Sequence, residues 1–255
     1  MMIKYGENVK IRFHYADWRG KLLVKALCDL FNDVANVQTK ELGFDVPTLN
    51  AQGLTWMLHR LRIQVSRMPA QGEEVVVETW PSGIDRLFAL RDFRISAKDG
   101  KTLVEASSAW MVIDMARRRP MRLPACVTEV VKRCEDVSPM VSFRLDVKRM
   151  PQDGYENSRE FVATYDNIDF NKHVTQATYV RWLTNALPFE FLKTHVIREI
   201  EVVYEHEILP DTTIYAEGHA EEAGGEIVIY HRLQNGQHDK THCQARSVWE
   251  KIGDE

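Results

Sequence analysis

No stretch of this 255-residue chain approaches the ~18 consecutive apolar residues of a membrane-spanning helix. Cysteine is scarce: Cys28, Cys126, Cys134 and Cys243 lie far apart with no Cys-x-x-Cys pair. That spacing supports neither a disulfide framework nor a metal site, and the expectation is reduced thiols in or near the core. Charge of one sign is not in excess. A formal net charge of −4 argues against general nucleic-acid binding. Gly-x-Gly-x-x-Gly and the phosphate-binding Gly-x4-Gly-Lys-Ser/Thr run are both missing, so neither kind of nucleotide site has support. Gly-x-Ser-x-Gly and His-Glu-x-x-His are absent too, which weakens a serine-hydrolase or zinc-peptidase reading; no metal and no cofactor are expected. Met1-Met2-Ile3-Lys4-Tyr5-Gly6-Glu7 holds no apolar core of a secretion signal, so a cytoplasmic location without membrane insertion is expected.

What is present is ordinary globular composition, 44% hydrophobic and 27% charged, with a repeated pattern. Val9–Tyr15 alternates like a strand, and Leu23, Leu27, Leu30, Phe31, Val34 and Val37 recur at helical spacing over Leu22–Leu42. Gly43 follows as a helix stop. Strands are predicted at Leu54–Val65, Glu73–Trp80, Arg86–Ala97 and Thr102–Asp114, the last two joined by a turn containing Asp99-Gly100. The stretch Ala116–Pro124 reads as a linker, followed by a short helix running to Cys134. The order then recurs: a strand at Arg159–Tyr165, a helix over Thr175–Leu192, and strands at about Arg198–Leu209, Thr212–Ala220, Glu226–Leu233 and His242–Lys251. Asp17 and Asp169 precede the two helices, and Met68-Pro69 and Leu209-Pro210 close the first strand after each. A duplicated helix-on-antiparallel-sheet unit is the α+β double hotdog, with residues 1–135 and 136–255 as its halves and the two sheets expected to join into one.

Polar equipment collects in the second half. Asp169, Asn171 and His173 are spaced by two, which in an extended stretch would place all three on one side. Asp and Asn there would also serve as plain helix caps. Glu207 sits three residues before Pro210, whereas the matching position before Pro69 is Ser66. The pattern fits one active and one degenerate copy.

These residues resemble the acyl-acyl carrier protein thioesterases, which carry Asp-x-Asn-x-His-Val followed by Tyr-x-x-Trp, here Asp169, Asn171, His173, Val174, Tyr179 and Trp182. The family's Tyr-Arg-Arg-Glu-Cys stretch is matched by Tyr204-Glu205-His206-Glu207-Ile208. LTWMLHRLRIQVSRMP, VVVETWPSG, Trp110 and the Arg117-Arg118-Arg119 run also have counterparts, so the likeness spans Val9 to Trp249. Ile208 stands where the family has a cysteine, which excludes a thiol nucleophile there, and Thr175 and Gln176 replace two asparagines. No plastid transit segment is present, so the resemblance implies a bacterial cytosolic member.

The resemblance implies hydrolysis of fatty acyl-acyl carrier protein to free fatty acid, ending chain elongation. Glu207, His173, Asn171 and Asp169 would be the catalytic set, and backbone N–H groups at the start of the Thr175 helix would form an oxyanion hole. Trp56, Met57, Leu58, Phe31 and Val34 are candidates for an acyl pocket, against the simpler reading of ordinary core. Arg117, Arg118, Arg119 and Arg122 are candidates for docking an acidic carrier protein or its 4′-phosphopantetheine phosphate. The chain would be a monomer or homodimer. Competing readings are an acyl-CoA thioesterase, a hotdog dehydratase and a non-catalytic acyl-binding module.

Overall fold

The computed structural model describes residues 3–133 and 140–253. The chain divides into two compact units, Met1–Phe143 and Arg144–Glu255. The expected boundary at 135/136, like Cys134, lies outside the described residues.

The first unit opens with β1 (Tyr5–Lys10), a 3-10 turn at Phe13–Tyr15, α1 (Val24–Glu41) and α2 (Val46–Asn50). Strands β2 (Leu54–Val65), β3 (Glu74–Asp85), β4 (Phe88–Ala97), β5 (Thr102–Asp114) and β6 (Arg119–Met121) follow, then α3 (Ala125–Lys132). The pairings are antiparallel, in the order β1-β3-β4-β5-β2, with β6 also on β5. In the second unit β7 (Glu156–Val162), a 3-10 turn at Tyr165–Asn167, α4 (Gln176–Asn185) and α5 (Phe189–Thr194) precede four strands. These are β8 (His195–Tyr204), β9 (Thr213–Ala223), β10 (Glu226–Asn235) and β11 (Thr241–Lys251), antiparallel in the order β8-β11-β10-β9-β7. One helix laid on one antiparallel sheet, twice over, is the α+β double hotdog.

In the first unit α1 buries Leu27, Leu30, Phe31 and Val34, and Phe31 stacks on Phe93 of β4 at 4.6 Å. In the second, α4 buries Ala177, Val180, Trp182 and Leu183, with Trp182 stacked on Phe161 of β7 at 5.7 Å. Each large side chain so buried contributes about 1.5–3 kcal/mol. Helix α1 ends in a Schellman motif: Gly43 at φ +78° lets the Phe44 N–H reach the Thr39 carbonyl and its own N–H reach that of Lys40.

Five expectations change. The strand expected at about Arg198–Leu209 runs from His195 to Tyr204, so Glu207 lies beyond its end. The first strand stops at Lys10, which pairs with the first residue of β3, Glu74; Ile11 still bonds to the turn before β3, at Gly72 and Glu73, and Phe13 is exposed rather than alternating inward. The strand expected at Arg159–Tyr165 likewise ends early, at Val162, and turns into the 3-10 segment. The second helix is not continuous to Leu192, because Pro188 has no N–H to donate and its ring clashes with the preceding turn; α4 ends and α5 restarts. The supposed linker at Ala116–Pro124 is instead a hairpin, with β6 pairing Arg119 to Asp114 and Met121 to Val112.

Candidate active site

The segment between β7 and α4 is a closed loop rather than an extended run. Buried Asn167 anchors its start by accepting from the Thr164 backbone and hydroxyl, both at 3.1 Å. Ile168 bridges Val174, and the Asp169 N–H donates to the His173 carbonyl at 2.8 Å. Lys172 turns the chain at φ +63°, the left-handed region that most side chains avoid. Asp169 does not share a side with its neighbours, as the spacing of two suggested. Its Oδ1 folds back and accepts the backbone N–H groups of Asn171 (2.8 Å) and His173 (3.2 Å). The Val174 N–H then ties the loop to the Ile208 carbonyl at 2.9 Å.

Glu207 arrives from the other side. After β8 ends at Tyr204, the N–H groups of Glu205 and His206 both donate to the His242 carbonyl, at 3.0 and 3.1 Å. The Tyr179 hydroxyl donates to the His206 carbonyl at 3.1 Å, and the His242 ring meets the Glu207 carbonyl through Nδ1 at 3.0 Å. The result brings Glu207 Oε2 to 3.2 Å from His173 Nε2, with about a third of each side chain open to solvent. Burial pushes the Tyr179 phenol far above its usual range, so it stays a donor. It pushes His242 down, toward the neutral imidazole. An adjacent carboxylate and imidazole, both reachable by a substrate, can accept and return a proton.

Of the N–H groups at the start of α4, that of Val174 is used by Ile208, that of Thr175 by the Asn167 carbonyl at 2.8 Å, and that of Thr178 by the Thr175 cap. These three are not available to an oxyanion.

The first unit repeats the loop without an imidazole or a carboxylate in the places of His173 and Glu207. Ala16 bridges Leu22, Asp17 N–H donates to the Lys21 carbonyl at 2.7 Å, and Asp17 Oδ1 accepts from Arg19 (2.8 Å) and Lys21 (2.9 Å). Gly20, at φ +69°, takes the place of Lys172. Leu22 N–H bonds to Pro69 as Val174 does to Ile208, so the counterpart of Glu207 is Met68 and not Ser66. Counting back from the prolines misplaced it, because the strand exits differ in length between the copies. Sequence reasoning also overlooked His242; its signal lay in the same duplication, since Leu103 accepts from Ser66 and Arg67 as His242 does from Glu205 and His206.

The first unit holds an apolar cavity of about 70 Å³ lined by Ala35, Thr39, Trp56, Ala89, Trp110 and Val131, among others. Of the acyl-pocket candidates Trp56 lines it, its Nε1 donating to the Phe44 carbonyl at 2.8 Å. Phe31, Val34 and Leu58 are buried in packed core, and Met57 is half-buried. Arg117, Arg118, Arg119 and Arg122 are exposed on and beside the β5–β6 hairpin, with Arg117 paired to Asp114 at 2.8 Å. Cys28 and Cys243 are buried free thiols, but Cys126 is exposed on α3 rather than in the core. Among the described residues no group of three or more His, Cys, Asp or Glu could hold a metal ion, and no helix is long and apolar enough to cross a membrane.

Residues 2–131 match the family model described as the acyl-ACP thioesterase N-terminal domain, and residues 151–251 match its C-terminal domain. A chloroplastic acyl-[acyl-carrier-protein] hydrolase of Cuphea viscosissima is 26% identical over 225 residues, covering 83% of this chain and 54% of its own length. A chloroplastic oleoyl-acyl carrier protein thioesterase of Coriandrum sativum is 25% identical over 228 residues, covering 83% and 61%. The chain therefore spans about half to three-fifths of the length of these curated relatives. Two solved structures share its fold. One is a putative oleoyl thioesterase from Lactobacillus plantarum (TM-score 0.89, 24% identity, 99% of this chain and 98% of that one). The other is an acyl-ACP thioesterase from Bacteroides thetaiotaomicron (TM-score 0.83, 24% identity, 97% and 98%).

Proposed function

The chain belongs to the acyl-ACP thioesterase family, and from that premise we propose that it hydrolyses the thioester of a fatty acyl-acyl carrier protein, releasing free fatty acid and ending chain elongation. The observation that carries this reading is the 3.2 Å pair of His173 and Glu207, held between a rigid loop and a fixed strand exit. Glu207 takes a proton from water, and the resulting hydroxide attacks the thioester carbonyl carbon. His173 holds the carboxylate in place and shares the proton. The side-chain amide of Asn171 supplies a donor to the carbonyl oxygen as it becomes an oxyanion. Collapse of the tetrahedral intermediate breaks the carbon–sulfur bond, and the pantetheine sulfur leaves with the proton first taken from water. Asp169 acts on the loop and not on the substrate.

The apolar cavity beside Trp56 is our candidate for the acyl chain, where each buried methylene contributes about 0.8 kcal/mol. The arginines of the β5–β6 hairpin are our candidate for the carrier protein or the phosphate of its prosthetic group, which Arg grips with paired donors. A hydrolysis panel over acyl chain lengths, run on carrier-protein and CoA thioesters in parallel, tests the reading. Turnover should favour the carrier-protein thioesters. Preference for CoA would replace the carrier, and bound lipid without turnover would replace the enzyme by a binding module.

A further inference from the structure

The two units form an internal comparison around Glu207. The strand exits are bonded alike: Ser66 and Arg67 donate to the Leu103 carbonyl at 3.0 and 3.3 Å, as Glu205 and His206 do to His242. The side chains at matching positions differ. At the fourth position of the helix, Tyr179 of α4 answers to Leu27 of α1, and at the head of the opposing strand His242 answers to Leu103. Where the exit carries Glu207, both of these side chains can donate; where it carries Met68, both are fully buried leucines that cannot. The Glu207 carbonyl can only accept, so the ring nitrogen facing it at 3.0 Å, His242 Nδ1, carries the proton. His242 as a whole is 4% exposed.

We propose that His242 is a positioning residue for the reaction: its Nδ1–H holds the Glu207 backbone, with Tyr179 holding the preceding carbonyl, so that the Glu207 carboxylate meets His173 at working distance. The proposal rests on the thioesterase reading of the His173–Glu207 pair. A backbone carbonyl released from such a tie lets the side chain that follows drift, and a shift of about 1 Å in a reacting group costs on the order of 100-fold in rate.

The test compares full-length His242→Leu, which installs the first unit's residue, with His242→Asn, whose amide N–H occupies the place of Nδ1, and with Glu207→Gln. Each is assayed for kcat and KM on an acyl-carrier-protein thioester and checked by circular dichroism and melting temperature. His242→Leu should lower kcat by about 10- to 100-fold with KM within about 2-fold, and His242→Asn should recover to within about 5-fold of the parent. A merely structural role would move the melting temperature without that rescue. If His242→Leu fails to fold, Tyr179→Phe decides: a fall in kcat of about 5-fold or more supports the arrangement, and an unchanged kcat overturns it. Parental kcat in a folded His242→Leu beside an inactive Glu207→Gln overturns the proposal alone. Parental activity in Glu207→Gln overturns the site and the proposal together.

Discussion

The most discriminating substitution on the loop between β7 and α4 is at Asp169, because a base and a loop holder respond differently to the same change. Asp169 Oδ1 accepts two backbone N–H groups, from Asn171 and His173. Hydrogen bonds to a charged acceptor contribute about 1.5–3 kcal/mol each, toward the lower end on a part-exposed loop. Asp169→Ala therefore removes about 3 kcal/mol of loop order, and with it the placement of His173; kcat should fall about 100-fold. In Asp169→Asn the amide oxygen still accepts both N–H groups. Only the charge is lost, about 0.5–1 kcal/mol per bond, so kcat should fall no more than about 30-fold. A base would behave otherwise: its amide replacement should cost about 10²–10⁴. The assay is kcat at saturating acyl thioester, followed by thiol release. Equal damage by Asp169→Asn and Asp169→Ala would mean that the charge of Asp169, and not its hold on the loop, carries its effect. Asp17, which makes the same two bonds in the unit without Glu207, gives the control: Asp17→Ala should lower stability while leaving kcat near parental.

Three further outcomes follow from the same structure. Burial pushes His231 down to about 3, so it is neutral in the fold, its Nε2 at 2.7 Å from the Ser247 hydroxyl. The unfolded chain binds that proton near pH 6.5 and the folded chain does not until about 3. Stability from this group is thus intact above pH 6.5 and declines on acidification at up to about 1.4 kcal/mol per pH unit. Urea titrations of His231→Phe from pH 7 down to about 4 should show that slope removed; an unchanged slope would contradict the assignment. Filling the cavity with Ala35→Leu should shift preference toward shorter acyl chains by about one or two methylenes, each worth about 0.8 kcal/mol, and an unaltered chain-length profile would remove the cavity from the acyl path. Replacing Arg118, Arg119 and Arg122 by serine should raise KM for carrier-protein thioesters and flatten its dependence on salt, with kcat retained; a KM insensitive to both would argue against electrostatic docking.

Much of this architecture was legible from residue pattern where pattern and packing coincide. The bounds of β2 and β5 match their alternating runs because both strands are long and paired along their length. Legibility failed where a partner decided the outcome. Nothing in VKIRFHY announces that β3 begins at Glu74 and leaves Phe13 exposed. Pro188 was visible, but a helical pattern on both sides of it masked the break. At the site, residue types pointed to Asp169, Asn171, His173 and Glu207, yet their geometry did not follow from spacing. The Asp169 carboxylate bonding its own loop, with Lys172 in a left-handed turn, converts a run of alternating polar residues into a closed loop. His242 was hidden more deeply, because its contact with Glu207 spans 35 residues and the cue was a difference between repeats.

The central claim is that Glu207, paired with His173, activates water against an acyl thioester. Steady-state release of free fatty acid from an acyl-carrier-protein thioester by folded Glu207→Gln, with His173→Ala alongside, tests it most directly. Each variant should lose at least about 100-fold in kcat, with the melting temperature little changed. Near-parental turnover by both variants would contradict it.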